Sequence, residues 1–302
     1  MTDCVSQFLN FLAVEKNASN NTISAYRNDL AQFSGFIGKA NGAATPETWK
    51  GVSGECIVSF VGDMRSRSYK DATVARKVAA LKSFYGFLAA EGMVDSDPTE
   101  HLKSPQVGKT LPRALSVAEI DELLEQPGRR ATPEARRDKA MLELLYATGL
   151  RVSELVALNL ADVSLDSDPK TVRCVGKGDR ERVLPIHQRP VEELRAYIAL
   201  VRPRLVRIRN EAALFVNRRG ERLTRQGFWL ILKNYAREAN LDKSITPHTI
   251  RHTFATHMLS GGMPLRNVQD ALGHASISTT QNYTHLTDDQ KRLQYDKAHP
   301  RA

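Results

Sequence analysis

The sequence predicts a mainly α protein in two domains: an N-terminal four-helix bundle, then an α+β domain with a small antiparallel sheet. Three observations carry that expectation. At 302 residues the chain is long enough for two domains of roughly 150 residues each. Apolar residues recur at spacings of three and four in its first hundred residues, the period of one helix face. Two adjacent short runs, 171–175 and 182–186, read as strands. Gly176-Lys177-Gly178-Asp179 lies between them as a hairpin turn.

In the first hundred residues, Ile23, Tyr26, Leu30, Phe33 and Ile37 form one apolar stripe. Val74, Val78, Leu81, Tyr85 and Leu88 form another. Asp71 is a candidate N-cap for the second, and Gly92 follows its end. Shorter helical patterns cover 8–14 and 57–64. The exposed faces are expected to carry Arg65, Arg67, Lys70, Arg76, Lys77 and Lys82. Such charges ordinarily mark a solvated face, and they gain meaning as DNA contacts only beside a domain with DNA chemistry.

Residues 98–113 change character. Pro98, Pro105, Gly108 and Pro112 fall here without an apolar period, which marks a linker between domains 1–97 and 114–302. Ser116 and Glu119 fit a capping box opening a helix with Ile120, Leu123 and Leu124. A strong helix is expected from about residue 137 to 147, ending before Gly149. Past the hairpin, helices dominate from Pro190 onward, interrupted by a short strand at 214–217 and a turn at Gly220.

The totals limit the function classes. Lys and Arg number 43 against 34 Asp and Glu, a net charge of +9, and such an excess attracts polyanions. The cysteines, Cys4, Cys56 and Cys174, form no C-x-x-C pair, which argues against a disulfide framework or a zinc module. The first fourteen residues lack the basic start and apolar core of a signal peptide. No stretch has the apolar length of a membrane span. A cytoplasmic location is the expectation.

Four segments suggest chemistry: Thr148-Gly149-Leu150-Arg151; Gly176-Lys177-Gly178; Thr246-Pro247-His248-Thr249-Ile250-Arg251; and Leu272-Gly273-His274 with Thr280-Gln281-Asn282-Tyr283. His248 and Arg251, three apart, share a helix face, and Thr246-Pro247 suits that helix's start. Arginine can bind two phosphate oxygens at once, and Arg151, after a glycine turn, could clamp the same phosphate. Preorganised cations stabilise the charge of a phosphoryl-transfer transition state. Lys177 could protonate a leaving oxygen, His274 could orient a phosphate oxygen, and Tyr283 could attack. Each has an ordinary reading: Arg151 as the ion-pair partner of Glu154, Lys177 as a solvated turn residue, His248 and His274 as satisfied core or capping histidines, Tyr283 as a packing residue.

Taken in order, Arg151, Lys177, His248, Arg251, His274 and Tyr283 resemble the active-site set of the tyrosine recombinase (phage integrase) family. The wider text is similar to its Xer branch. Thr73-Val74-Ala75-Arg76-Lys77 and Ser83-Phe84-Tyr85-Gly86-Phe87-Leu88 resemble that branch's core-binding domain. Gly176-Lys177-Gly178-Asp179-Arg180-Glu181-Arg182 resembles its lysine hairpin. The ending Tyr295-Asp296-Lys297-Ala298-His299-Pro300-Arg301-Ala302 is closer to the XerC tail than to the XerD one. Departures are Ile250, where Leu is common, and the polar run 126–137.

The resemblance implies a SAM-like core-binding domain and a catalytic domain closing as a clamp on duplex DNA at a dif-like site. It makes Tyr283 the nucleophile of a 3′-phosphotyrosine, with Arg151 and Arg251 on the nonbridging oxygens. His248 would assist proton transfer, Lys177 would be the general acid for the 5′-oxygen, and His274 would bond the phosphate. No cofactor, ATP or metal is implied. The partners would be a sister recombinase of the XerD type, or further copies of the chain, in a tetrameric synapse, and a septal DNA translocase. The tail from about Thr287 would dock on a neighbouring protomer, and the work would be resolving chromosome dimers at division.

Two other classes compete. A phage or mobile-element integrase would share the chemistry at different DNA sites. A metal-dependent nuclease could use His248 and His252, spaced i, i+4, but Thr249 stands where the H-E-x-x-H glutamate belongs and Arg251 would repel the ion. An architectural DNA-binding protein with a dead site finds no support, because all six residue types are present.

Overall fold

The stripes of the first hundred residues bury as helix faces. A computed structural model describes residues 4–16, 18–41, 49–103, 114–176, 181–207, 211–242, 245–273 and 294–302. Its contacts divide the chain into two units, Met1–Thr110 and Leu111–Ala302.

In the first unit, α1 (Cys4–Val14), α2 (Asn20–Asn41), α3 (Gly54–Ser66) and α4 (Asp71–Ala90) surround one core. Leu30, Phe33 and Ile37 of α2 are buried against Val74, Val78, Leu81 and Tyr85 of α4, while Ile23 and Tyr26 are partly buried at the edge. Phe8 and Trp49 each meet Phe84 edge to face, a favoured aromatic geometry. Ser53 caps α3, its Oγ accepting from the Cys56 N–H.

Three expectations change here. Lys70, not Asp71, is the N-cap of α4, and Asp71 occupies the first turn, where its charge suits the helix dipole. Residues 98–103 do not begin a free linker: Thr99 is buried and Leu102 packs on the first unit's core. Lys77 is not on an exposed face. It is 2% exposed, with Nζ 2.7 Å from Asp29 and 2.8 Å from Gln32. Its α4 position lies on the apolar side, and Asp29, which also pairs with Arg76, neutralises it there.

The second unit is built around α6 (Pro133–Thr148), preceded by α5 (Val117–Glu125). The Ser116–Glu119 capping box forms, with Glu119 Oε2 accepting from the Ser116 N–H at 2.7 Å. From Arg137 to Thr148 every residue of α6 is buried. The helix starts four residues earlier than its apolar pattern, because Thr132 caps it and Pro133 fits its first turn. The polar run 126–137 is thus a 3-10 turn plus that first turn.

After α7 (Val152–Ala157) comes a three-stranded antiparallel sheet in the order β1 (Val163–Ser164), β2 (Thr171–Val175), β3 (Glu181–Pro185). Thr171 pairs with Pro185 and Val175 with Glu181. The expected turn at Lys177 to Asp179 lies outside the described residues. Two-residue β1 was not expected. The strand expected at 214–217 does not form a ladder: residues 213–216 are buried, bend at 214–215 and make isolated bridges, Asn159 to Ala213 and Val216 to Arg222. Four further α-helices follow the sheet: α8 (Gln188–Ala196), α9 (Arg202–Leu205), α10 (Arg225–Glu238) and α11 (Pro247–Ser260). To these are added α12 (Leu265–Leu272) and a helical stretch at 294–298.

The last nine residues pack on their own unit. The Tyr295 hydroxyl donates to the Ala147 carbonyl at 2.6 Å. Arg301 reaches buried Glu143 at 2.7 Å and Asp121 at 2.5 Å. His299 lies between His187 and Tyr146, at ring separations of 4.5 and 4.9 Å.

Two outcomes follow from these buried charges. Asp29→Ala leaves the Lys77 ammonium buried and unpaired, which costs about 3–5 kcal/mol. Replacing both, Asp29→Leu with Lys77→Met, costs far less. Denaturant unfolding of the chain checks this, and equal losses would place Lys77 in water. Burial, helped by Arg301 and Arg189, lowers the His187 pKa to about 4. Burial and the charge of His187 lower that of His299 to about 3. In the unfolded chain both take up protons near 6.5. Stability is therefore full above pH 6.5 and falls as pH drops toward 3. The acid drop in melting temperature shrinks in His299→Gln; an unchanged pH slope would separate the tail's seat from these imidazoles.

Candidate active site

The site grows from two helix ends. At the end of α6, Gly149 adopts φ 61°, the left-handed form that closes helices. A Cβ there would overlap the Phe254 ring and touch Leu272, so this stop requires glycine on two counts. The chain then turns into α7 with Arg151 as its N-cap residue. Glu154, one turn on, reaches back and accepts from the Arg151 N–H at 2.7 Å and from its guanidinium at 2.9 Å. The ion-pair reading of Arg151 is realised: it pairs with Glu154, and its side chain is 35% exposed.

At the end of α12, Gly273 adopts φ 64°. The last carbonyls of a helix have no partner within it and carry its negative pole. Here they gather arginines. Arg251 donates to Leu272 O at 2.5 Å, Arg182 to Ala271 O at 3.1 Å, and Arg151 reaches Gly273 O at 3.5 Å, the limit of a hydrogen bond. Arg251 also donates to Gly149 O at 2.6 Å, tying the two helix ends together. Arg182 holds Glu154 with both terminal nitrogens, at 3.0 and 2.7 Å.

Two guanidinium groups, Arg182 and Arg151, thus hold one buried carboxylate, Glu154. Burial raises the Glu154 pKa, but Arg182 and then Arg151 outweigh it and hold the carboxylate below its ordinary value. Arg251 is 8% exposed, and among the described residues no carboxylate lies within ion-pair distance of it. Burial, reinforced by the charge of Arg151, pulls its pKa down to about 10. It stays cationic at neutral pH, and an anion beside it would relieve that strain. Cys174, on β2 opposite Arg182, is buried, and burial pushes its thiol up to about 11.

His248 is exposed in the first turn of α11, one turn before Arg251. Thr246 caps that helix, its Oγ1 accepting from the Thr249 N–H, and Pro247 follows, as the sequence pattern requires. Lys177, His274 and Tyr283 lie outside the described residues. Lys177 belongs to the run joining β2 and β3, and His274 directly follows Gly273.

Of the expected DNA contacts, Arg65, Arg67 and Lys70 are exposed between α3 and α4, with Arg67 paired to Asp63. Arg76 is partly exposed on Asp29 and Lys82 is half-buried; buried Lys77 cannot touch DNA in this conformation. Sequence reasoning named Glu154 as an ion-pair partner of Arg151, three residues away, but passed over Arg182. Nothing local marks Arg182, which lies 28 residues from the carboxylate it holds.

Comparison with known proteins identifies the family. Residues 113–290 match the phage integrase family, and residues 5–92 match the phage integrase N-terminal SAM-like domain. The chain belongs to the phage integrase family and is a tyrosine recombinase of the Xer branch. It is 52% identical to tyrosine recombinase XerC of Roseiflexus castenholzii, over all of this chain and 95% of that one. It is 45% identical to tyrosine recombinase XerD of Halalkalibacterium halodurans, over 99% and 98%. Its fold resembles that of the XerH site-specific recombinase bound to a palindromic difH substrate. The TM-score is 0.69 at 21% identity, covering 98% of this chain and 82% of that one.

Gly149→Ala tests the frame. The forced φ and the Phe254 overlap cost about 2 kcal/mol or more, and the displaced carbonyl loosens Arg251. A thermal melt matching the unaltered chain would mean that the ring gives way freely.

Proposed function

We propose that the chain is a site-specific recombinase that cuts and rejoins duplex DNA through a 3′-phosphotyrosine at Tyr283. The observation that carries this reading is the buried, carboxylate-free Arg251 beside Arg151 at the meeting of two helix ends. A scissile phosphate would supply the missing anion. Arg251 and Arg151 would hold its nonbridging oxygens, and both would bind the more charged transition state more strongly than the ground state. The Tyr283 oxygen attacks phosphorus as the bond to the 5′-oxygen breaks. His248 assists removal of the phenol proton, Lys177 gives a proton to the leaving 5′-oxygen, and His274 bonds the phosphate. The new ester keeps the energy of the broken one, so rejoining is the same step reversed with a different 5′-hydroxyl.

In this reading the core-binding domain, residues 1–97, joins the catalytic domain, 114–302, in a clamp on the DNA. Arg65, Arg67, Lys70, Arg76 and Lys82 would hold phosphates in a salt-sensitive way. The relatives' names, tyrosine recombinase XerC and XerD, support work alongside a second recombinase; the same proposal takes in a synapse at a dif-like site, chromosome dimer resolution in the cytoplasm and activation by a septal translocase. In the synapse the tail, seated here on its own unit, would dock on the neighbouring protomer.

On a nicked, end-labelled duplex carrying a candidate site, in EDTA, the chain forms a covalent protein–DNA band on a denaturing gel, and Tyr283→Phe does not. A band that survives Tyr283→Phe, or that EDTA abolishes, would overturn the phosphotyrosine mechanism.

A further inference from the structure

Arg182 has no place in the proposed chemistry, yet among the described residues it touches several parts of the site's frame at once. It stands at the start of β3, opposite Cys174 on β2, at the base of the hairpin whose joining run contains Lys177. Its guanidinium makes three kinds of contact. Both terminal nitrogens hold Glu154, the carboxylate that in turn holds Arg151 by main chain and side chain. Its Nε donates to Ala271 O in the last turn of α12. Its planar face covers Gly273, where a Cβ would come within 3.1 Å of it, and His274 is the next residue. The side chain is 13% exposed. Burial works against its charge, but Glu154 outweighs it and raises the pKa, so the cation is fixed.

We propose that Arg182 is a positioning residue: a clip that fastens β3, the Arg151 turn and the Gly273 turn to one another through Glu154 and the end of α12. This rests on the recombinase reading of the site and adds a residue to it. Only a planar fork makes these bonds at once. Two parallel N–H groups match the carboxylate, Nε points aside to the carbonyl, and the flat face lies on glycine. Lysine has the charge without the fork.

The clip also sets how Arg151 divides itself. With Arg182 in place, Glu154 is shared between two guanidinium groups and is more than neutralised. Without Arg182, the buried carboxylate has Arg151 as its sole cation among the described contacts and draws it away from an incoming phosphate. Removing the charge of Glu154 as well would release Arg151 again.

The test uses the full chain and the nicked duplex on which the unaltered protein forms its Tyr283-dependent band, at a temperature where every variant is folded by its melt. DNA affinity is measured by titration, and the cleavage rate constant at saturating DNA. Arg182→Gln is expected to lower the rate constant on the order of 100-fold, the usual penalty for misplacing reacting groups by about an ångström. Its DNA affinity stays within a few-fold. Arg182→Lys recovers little of the loss, since it lacks the fork. Arg182→Gln combined with Glu154→Gln cleaves faster than Arg182→Gln alone, a reciprocal rescue at fixed DNA occupancy that is read apart from folding. A Tyr283-dependent band forming at the unaltered rate in Arg182→Gln overturns the inference, as does a loss carried wholly by DNA affinity or full recovery in Arg182→Lys. An unaltered chain with no Tyr283-dependent band overturns the recombinase site, and this inference with it.

Discussion

The organising constraint of the catalytic unit is the set of unpaired carbonyls at two helix ends. A helix cannot satisfy its last carbonyls, and burying them unbonded is costly. In this unit α6 and α12 both end in left-handed glycines, and the carbonyls beside those glycines face arginines. The problem of closing two helices and the problem of holding cations close together thus solve each other. Negative helix poles offset like-charge repulsion, so guanidinium groups can crowd without a carboxylate for each. What remains is a surplus of positive charge at one point, which is what a phosphate-transfer site needs.

Arg202 shows that burial without a carboxylate is not by itself a functional mark. It is buried too, but it donates to Ala213, Leu214 and Glu211 carbonyls through four hydrogen bonds. Those bonds brace the bent segment 211–214 by its carbonyls, with the Tyr197 hydroxyl sharing Leu214 O. Arg251 spends two of its five donors on carbonyls, and its nearest charged neighbours include further cations. The difference lies in the surroundings: Arg202 turns Nε and one terminal nitrogen on the carbonyls of a single segment, whereas Arg251 ties two helix ends beside further cations.

Much of this was legible in the sequence, and the legible part is local. The stripe through Leu30, Phe33 and Ile37, the Ser116–Glu119 box and the Thr246-Pro247 start each depend on residues a few places apart, and each forms where its pattern lies. The order of Arg151, His248 and Arg251 was legible through resemblance, which compares whole motifs. Pairings across long stretches were not. Lys77 looks like any basic residue on a helix until Asp29, 48 residues earlier, is found beside it. A two-residue strand such as β1 has too few positions to show a period. The segment 214–217 reads as a strand because it is mostly apolar, but Ala213 and Val216 find isolated bridges there, not a ladder.

The placement of charge on α6 shows why that helix resists reading by hydrophobicity. Its sequence Arg137-Asp138-Lys139 looks like a solvated face, yet all three are buried. Arg137 pairs with Asp138, which also accepts from Tyr235, and Lys139 bridges to Glu143 and Glu125. Burial alone would raise the Asp138 and Glu143 carboxyls, and it does so despite these partners. Such pairs add little net stability over apolar residues of the same size. Their effect is to fix geometry. Glu143 is the carboxylate that receives Arg301, so the charge that centres α6 also seats the end of the chain. Tyr295 meets the same helix at Ala147, two residues before the glycine on which Arg251 depends. One helix therefore carries the tail's seat and one wall of the site, and a displacement of the tail would be felt where the phosphate is to be held.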